Sequence, residues 1–217
     1  MFSNIILIDE INRAPAKTQA ALFEAMAERQ ITMDGVEYAM EPPFLVFATQ
    51  NPIEQEGTYR LPEAQLDRFL FKINVSYPSL EEEIQILESK HEQKAKVEED
   101  LVNALLSAKQ IAEYQDTIKE IVVEKNLLKY IASIVDNTRS NANLYLGASP
   151  RASIAIMDAS KALAAINGRD FITPDDIKKV AIPVLGHRIL LTPEREMEGL
   201  TAQQVVKQIV DGIEIPR

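Results

Sequence analysis

The sequence has no cysteine, no tryptophan and only two histidines, His91 and His187. The absence of cysteine excludes disulfides and thiolate metal sites and agrees with a protein of the reducing cytoplasm. The two histidines stand far apart in the chain, so a histidine-based metal site has little to build on. We therefore predict a cytoplasmic protein without a cysteine or histidine metal centre.

Long apolar runs and a secretory leader are also missing. No stretch approaches the roughly 20 apolar residues that a membrane-spanning helix needs. Met1 leads directly into an apolar run rather than into a charged segment. The net charge of -10 argues against broad, nonspecific nucleic-acid binding but leaves room for a local basic pore. We therefore expect neither a membrane span nor a specific nucleic-acid partner.

A phosphate-binding loop of the form GxxxxGK[ST] is missing too, because none of the seven glycines is followed by lysine. Yet the apolar run Ile5–Ile8 ends in adjacent carboxylates, Asp9 and Glu10. A magnesium-nucleotide hydrolase needs one carboxylate to hold the metal and a second group to orient or deprotonate water. The pair predicts the back portion of an ATPase, cut from a larger protein. The alternative is an acidic pair that ends a strand and caps the next element.

The chain changes character near Tyr77-Pro78. Before this point, short apolar runs alternate with helical stretches, which is typical of an α/β sheet. After it, the whole sequence reads as helical. We therefore predict an α/β fold followed by an all-α fold, with domains over residues 1–77 and 78–217.

In the first domain, three apolar runs predict strands: Ile5–Ile8, 44–48 and 69–75. The first is expected to be a central parallel strand covered on both faces. Two helices are predicted, over 15–29 and 62–68. Between them, Asp34-Gly35 suits a type I′ turn and predicts a hairpin of Gln30–Met33 with Val36–Ala39.

In the second domain, Ser79 and Glu82 form a candidate capping box that begins a helix. Cap and stop residues place the further helices over about 101–115, 124–139, 151–167, 174–185 and 201–211.

Three polar residues outside the acidic pair are further candidates for the site. Asn51 follows the second apolar run as Asp9 follows the first, so both would emerge at one edge of a parallel sheet. Arg68 ends the short helix, where its guanidinium could neutralise phosphate charge. Arg151 lies in the first turn of a helix, where a cation opposes the macrodipole and suggests an anionic partner. The alternatives are a turn residue before Pro52, a solvated surface arginine and a salt bridge to a nearby carboxylate.

Together these residues resemble the MoxR family of AAA+ ATPases, and the resemblance covers essentially the whole chain. The matching segments are Ile8-Asp-Glu-Ile-Asn-Arg-Ala-Pro15, Lys17-Thr-Gln-Ala-Ala21, Phe47-Ala-Thr-Gln-Asn-Pro-Ile-Glu-Gln-Glu-Gly-Thr-Tyr59, Leu61-Pro-Glu-Ala-Gln-Leu-Asp-Arg-Phe69 and Gly147-Ala-Ser-Pro-Arg151. The implied fold is a partial AAA+ core, made of a parallel sheet, helices and a β-hairpin insertion, plus a helical lid.

The resemblance implies a role for each candidate residue. Asp9 and Glu10 correspond to the Walker B pair, with Asp9 on the Mg²⁺ side and Glu10 as catalytic base or water-positioning residue. Asn51 corresponds to sensor 1, Arg68 to the arginine finger that reaches a neighbouring subunit's ATP, and Arg151 to sensor 2. The hairpin corresponds to the pre-sensor-1 hairpin; alternatively it only protects the edge of the sheet.

The implied activity is that of an ATP-driven remodelling chaperone. The expected cofactors are ATP and Mg²⁺. The expected partners are further copies in a ring, expected to be a hexamer, and client proteins that include von Willebrand factor A domain proteins. The alternative is a non-enzymatic fragment that acts only as a protein-interaction module.

Two further expectations follow from the missing phosphate-binding loop. This chain alone is not expected to hydrolyse ATP. Removal of neighbouring strands would also expose an apolar side of the sheet, so the chain should self-associate or depend on its helical domain for solubility. Arg60 stands where relatives commonly carry proline, and it is either an extra phosphate or intersubunit contact or a solvated loop residue.

Overall fold

The computed structural model describes residues 3–51, 61–92 and 103–215. The first part contains β1 (Ile5–Ile8), a 3-10 turn (Ile11–Arg13), α1 (Ala16–Glu28), β2 (Gln30–Met33), β3 (Val36–Ala39), β4 (Leu45–Ala48) and α2 (Glu63–Leu66). The second contains α3 (Leu80–Glu92), α4 (Ala108–Lys119), α5 (Lys125–Ser140), β5 (Leu144–Leu146), α6 (Pro150–Ile166), α7 (Pro174–Leu185), β6 (Leu190–Leu191), α8 (Pro193–Met197) and α9 (Ala202–Gly212). An α/β part followed by a helical part confirms the predicted fold class.

Strands β1 and β4 pair in parallel, with Ile5 opposite Leu45 and Ile8 opposite Ala48. One face of the pair packs on α1, where Leu22 and Phe23 are buried in the same apolar cluster as Ile11. The other face is open: Leu7 is 71% exposed and Phe47 50% exposed. The expectation that β1 is covered on both faces is therefore wrong for the residues that the structure describes.

The predicted hairpin is confirmed, with the same strand bounds. Strands β2 and β3 are antiparallel, and Met33 pairs with Val36 across the turn. Asp34 and Gly35 have φ values of 52° and 78°. Positive φ at both central residues is what a type I′ turn requires, and asparagine, aspartate and glycine tolerate it best.

The third predicted strand, over 69–75, is wrong. The structure has irregular backbone there, and its hydrogen bonds run to the helical part of the chain. The Lys72 N–H donates to the Pro183 carbonyl at 3.0 Å, while the Phe69 carbonyl accepts from His187 and Arg188. Contacts with α7 and the loop after it thus replace pairing with another strand.

The second part of the chain has its own apolar core, in which α5, α6, α7 and α9 pack together around fully buried Ile134, Ile156, Ile177 and Val205. These four helices confirm the predicted ones to within one residue at most ends. The capping box of Ser79 and Glu82 at α3 is also confirmed. Within the described ranges, no helix is both long and apolar enough to cross a membrane.

Several details of the second part differ from prediction. Helix α4 begins at Ala108 because Ser107 and Gln110 form a capping box there. The expectation that everything after residue 77 is helical is wrong, since β5 and β6 pair antiparallel. In the first part, α1 ends one residue early because Arg29 turns to a φ of 55°, and α2 ends at Leu66 rather than Arg68.

Candidate functional site

The parallel pair β1 and β4 brings the ends of two polar segments to one edge of the sheet. The pairs along the ladder end with Ile8 opposite Ala48. Asp9 and Glu10 therefore follow β1 at the edge where Thr49 and Asn51 follow β4. Carboxyl ends of parallel strands are where open α/β sheets bind ligands.

Thr49 connects the two segments, and sequence reasoning missed it. Its Oγ1 donates to Asp9 Oδ1 at 2.5 Å and accepts from the Glu10 N–H at 2.9 Å. Its backbone N–H and carbonyl extend the ladder to Ile8 and Ile11. One hydroxyl thus fixes the carboxylate of Asp9 and the backbone of Glu10. The signal in the sequence was its place, one residue after β4 as Asp9 is one residue after β1.

Glu10 adopts a left-handed backbone conformation, with φ 48° and ψ 54°. This region costs a non-glycine residue about 1–2 kcal/mol, so the Thr49 contacts offset strain at this position. The Glu10 side chain makes no helix-capping hydrogen bond, and its Oε2 lies 2.9 Å from Arg13 Nη1. The alternative of a carboxylate that caps the next element therefore fails for Glu10.

Asn51 lies three residues beyond β4 and is exposed. Its proposed turn partner, Pro52, lies outside the described residues, as do the loop around Gly57 and the residue Arg60. The alternatives for Asn51 and for Arg60 both stay predictions.

Arg68 follows α2 in a turn, and its Nη1 donates to the Phe23 carbonyl of α1 at 2.8 Å. The residue is otherwise exposed. Arg68 is therefore not a purely solvated surface arginine, because its guanidinium donates a hydrogen bond to this carbonyl of its own chain.

Arg151 lies in the first turn of α6, beyond the Ser149 N-cap. Its Nη1 is 3.7 Å from Asp67 Oδ2, and its side chain is 63% exposed. The salt bridge considered as an alternative is thus present in the structure. An exposed pair at this distance contributes little stability and leaves Arg151 available to a stronger anion.

The motif that carries Arg151 is held against the end of α5. A Cβ on Gly147 would lie 2.7 Å from both the Arg139 Cα and the Thr138 carbonyl. The Ala148 N–H donates to Thr138 Oγ1 at 2.9 Å, and Arg139 Nε donates to the Ala148 carbonyl at 3.0 Å. Only glycine permits this approach, so Gly147 sets the position from which α6 begins.

Asp67 and Arg188 form a buried pair that sequence reasoning also missed. Arg188 Nε donates to Asp67 Oδ1 at 3.0 Å, and the two side chains are 3% and 13% exposed. Burial lowers the pKa of Arg188, while Asp67 opposes that shift. Arg188 stands in the apolar run from Val184 to Leu191, and a lone arginine in such a run is a usable signal of a buried ion pair.

His187 lies beside this pair, with Nε2 2.9 Å from the Phe69 carbonyl. Burial, and then the positive charge of Arg188, lower its pKa to about 4. The imidazole is therefore neutral at physiological pH and donates through Nε2.

The described residues contain no cluster of three or more histidine, cysteine or acidic side chains that could enclose a metal. Asp9 and Glu10 offer carboxylates at the strand edge, and that of Glu10 is paired with Arg13. Mg²⁺ is commonly bound through one or two carboxylates together with substrate phosphates and water. The donor set therefore fits Mg²⁺ that arrives with a nucleotide rather than a metal held in a closed protein cage.

Two family models match the chain. Residues 1–71 match the ATPase family associated with various cellular activities (AAA), and residues 136–209 match the AAA lid domain. A crystal structure of a protein of Cytophaga hutchinsonii, provisionally named as an ATPase, superposes with a TM-score of 0.92 at 40% identity. The superposition covers 100% of this chain and 67% of that protein.

Two relatives match nearly the whole chain. The uncharacterized protein YeaC of Bacillus subtilis is 43% identical over 100% of this chain and 67% of its own length. Chaperone MoxR1 of Mycobacterium tuberculosis is 41% identical over 99% of this chain and 58% of its own length. This chain thus spans 67% of the length of the first relative and 58% of the length of the second. It belongs to the MoxR family of AAA+ ATPases.

Proposed function

We propose that the protein is an ATP-hydrolysing MoxR-type chaperone or remodelling ATPase, with its hydrolytic site at the carboxyl ends of β1 and β4. The observation that carries this proposal is the Thr49 bridge, which holds Asp9 and the backbone of Glu10 together at that edge. The neighbouring parallel strand thus holds the carboxylate of Asp9 and the backbone from which the Glu10 carboxylate projects. This arrangement suits a metal-nucleotide site better than a strand terminus that only meets solvent.

The roles of the chain's own residues follow from their chemistry. Asp9 would hold Mg²⁺, and Glu10 would orient or deprotonate the attacking water. Asn51 would place its amide beside that water or the terminal phosphate. When bound, Mg-ATP supplies the phosphoanhydride and the positive charge of the metal. Glu10 Oε2 lies 2.9 Å from Arg13 Nη1, and this contact orients the carboxylate.

Two arginines would stabilise the phosphate charge. We assign Arg68 to the ATP of a neighbouring subunit and Arg151 to the nucleotide contact of the lid. A guanidinium that acts across an interface implies a ring, for which we propose six copies. Arg151 is exposed and only loosely paired with Asp67 at 3.7 Å, which suits a residue that exchanges a carboxylate for a phosphate.

The domain division stays part of the proposal, with a core over residues 1–77 and a helical lid over 78–217. Its support is that the buried clusters of the two parts share no residue. The 217-residue sequence holds no GxxxxGK[ST] loop, so we propose that this chain alone does not turn over ATP.

We further propose a cytoplasmic protein that acts on other proteins, with von Willebrand factor A domain proteins among its partners. The support is family membership and the relative named Chaperone MoxR1. The hairpin β2–β3 would face the ring pore or the substrate. Its side chains Met33 and Val36 are more than half exposed at the tip, as a substrate contact requires.

One observation favours the second candidate function, a non-enzymatic interaction module. The open face of β1 and β4 presents Ile5, Leu7, Leu45 and Phe47, and exposed apolar patches commonly mark protein contacts.

Phosphate release by the full-length gene product decides between the two functions. The enzyme proposal expects Mg²⁺-dependent release that Asp9→Asn abolishes, while Asp116→Asn, on the exposed surface of α4, leaves it unchanged. Release that survives Asp9→Asn would contradict the assignment of Asp9. No ATP binding and no release by the full-length product would favour the interaction module.

A further inference from the structure

The turn that carries Arg68 is attached to the helical part of the same chain. Arg188 Nη2 donates to the carbonyls of Asp67 at 3.1 Å and Phe69 at 2.5 Å, and its Nη1 donates to the Leu70 carbonyl at 3.1 Å. Arg188 Nη1 also donates to the Val184 carbonyl at the end of α7. One buried guanidinium thus binds the backbone on both sides of Arg68.

The side chain of Asp67 makes a second attachment, to α6. Asp67 Oδ2 accepts from Ser149 Oγ at 2.8 Å, and Ser149 is the N-cap of α6. A carboxylate at a helix N-terminus is favoured by the macrodipole. We call Asp67, Ser149 and Arg188 the Asp67 clamp.

The clamp is a rigid connection because its charges are buried. The Arg188 and Asp67 side chains are 3% and 13% exposed. Separation of the pair would leave an uncompensated buried charge, which is strongly unfavourable. The turn with Arg68 and the start of α6 with Arg151 therefore hold one fixed relation while the clamp is closed.

We propose that Asp67 and Arg188 are positioning residues for Arg68, which tie the placement of the arginine that reaches the neighbouring subunit to the lid of its own subunit. This inference rests on the proposed function of Arg68. Movement of the lid in one subunit would then move the Arg68 guanidinium that this subunit presents to the neighbouring subunit. The Asp67 clamp would thereby couple the nucleotide site of one subunit to that of its neighbour.

The test measures ATP turnover of the full-length gene product with Asp67→Ala, and with Asp67→Asn as the milder variant if alanine prevents folding. We expect kcat to fall by about tenfold to 100-fold for Asp67→Ala, the scale of a misplaced catalytic group, with KM for ATP within about threefold. The kcat of Asp67→Asn should lie between that of Asp67→Ala and that of the unmodified protein, because the amide oxygen of asparagine can still accept a hydrogen bond from Arg188.

The matched control is Asp176→Asn. Asp176 of α7 is buried and forms an ion pair within the helical part, with Arg169 Nη2 at 2.6 Å; its hydrogen bonds run to Arg169 and Thr173, not to Arg68 or its turn. It should lower the melting temperature as much as the Asp67 variants while kcat stays within about twofold. If kcat falls as much in Asp176→Asn as in the Asp67 variants, the loss reflects a general loss of stability, and the inference is overturned.

Mixed rings separate this inference from the role of Arg68 itself. Glu10→Gln subunits are inactive at their own sites but present an intact Arg68 to a neighbour. They should restore turnover to Arg68→Ala subunits and equally to Asp67→Ala or Asp67→Asn subunits. If Arg68→Ala is not restored in intact rings, the proposed role of Arg68 fails and the inference with it. If Arg68→Ala is restored but the Asp67 variants are not, or if folded Asp67 variants keep full kcat, the inference alone is overturned.

Discussion

The Thr49 hydroxyl donates a hydrogen bond to the Asp9 carboxylate across the ends of β1 and β4, at 2.5 Å. The same oxygen accepts the Glu10 N–H, and Glu10 stands in the left-handed region. Strained backbone that its surroundings hold in place is common at functional sites. The geometry of the candidate site therefore depends on Thr49, to which the proposed reaction assigns no contact of its own.

Thr49→Val removes this hydroxyl with little change of shape. We expect kcat of the full-length product to fall by about tenfold or more, since the acidic pair loses its fixed position. Thr49→Ser should restore most of the rate, because it returns the hydroxyl. Thr32→Val, on the exposed hairpin, is the matched control. Equal rates for Thr49→Val and Thr32→Val would contradict a positioning role.

Gly147→Ala tests the close approach of the Arg151 motif to α5. Its Cβ would meet backbone atoms at 2.7 Å, so we expect a loss of about 1–3 kcal/mol in the free energy of unfolding, as for other overpacked sites. Gly212→Ala, at the end of α9, meets nothing within 4 Å and should be near neutral. Urea denaturation of both variants measures the difference. Equal midpoints would contradict the prediction, because they would show that the backbone around Gly147 moves to accommodate the Cβ.

His187 makes stability depend on pH between 6.5 and about 4. The folded state holds the imidazole neutral, so the unfolded state binds the proton first as pH falls, and stability present above pH 6.5 is lost toward pH 4. Burial, Arg188 and Lys72 disfavour the charged ring, while the Phe69 carbonyl and Asp67 oppose them. Among the described residues, its Nδ1 also lacks a partner.

The shift corresponds to at most about 3 kcal/mol of stability. His187→Gln can keep the bond to the Phe69 carbonyl and does not titrate. Its melting temperature should therefore fall less than that of the unmodified chain over this pH range. His91→Gln, on exposed α3, should follow the unmodified chain. Parallel pH curves for His187→Gln and the unmodified chain would contradict the account.

The open face of β1 and β4 predicts self-association of the 217-residue chain. Leu7 is 71% exposed there, and its substitution by lysine should reduce the mass measured by light scattering. Tyr145→Lys is the control, because Tyr145 is 78% exposed on the helical part. A monodisperse monomer for the unmodified chain, with a cooperative melt of the sheet, would refute the prediction.

Local signals predicted those elements of the fold that depend on local structure. The hairpin followed from Asp34-Gly35, and α7 and α9 from Thr173 and Thr201, whose side chains cap the helices as expected. The failures have non-local causes. Residues 69–75 carry an apolar pattern that suits a strand, but their backbone bonds with residues more than 100 positions away. Strands β5 and β6 are too short to show any periodicity.

The site was predicted only in part for the same reason. Asp9 and Asn51 could be placed at one edge because each follows an apolar run. Thr49, Asp67 and Arg188 bind partners that lie 39 to 121 positions away in the sequence. The local signals at Thr49 and Arg188 mark these residues but do not identify their partners. Only the alternative for Arg151, a salt bridge, anticipated part of that network.

The central claim is that Glu10 acts on water beside a nucleotide held at this edge. Glu10→Gln in the full-length gene product tests it when ATP binding and phosphate release are measured on the same sample, with Glu37→Gln on exposed β3 as control. We predict that the Kd of Glu10→Gln for ATP stays within a few-fold of that of the unmodified protein. Its rate of phosphate release should fall by at least about 100-fold. Phosphate release by Glu10→Gln at the rate of the Glu37→Gln control would contradict the account.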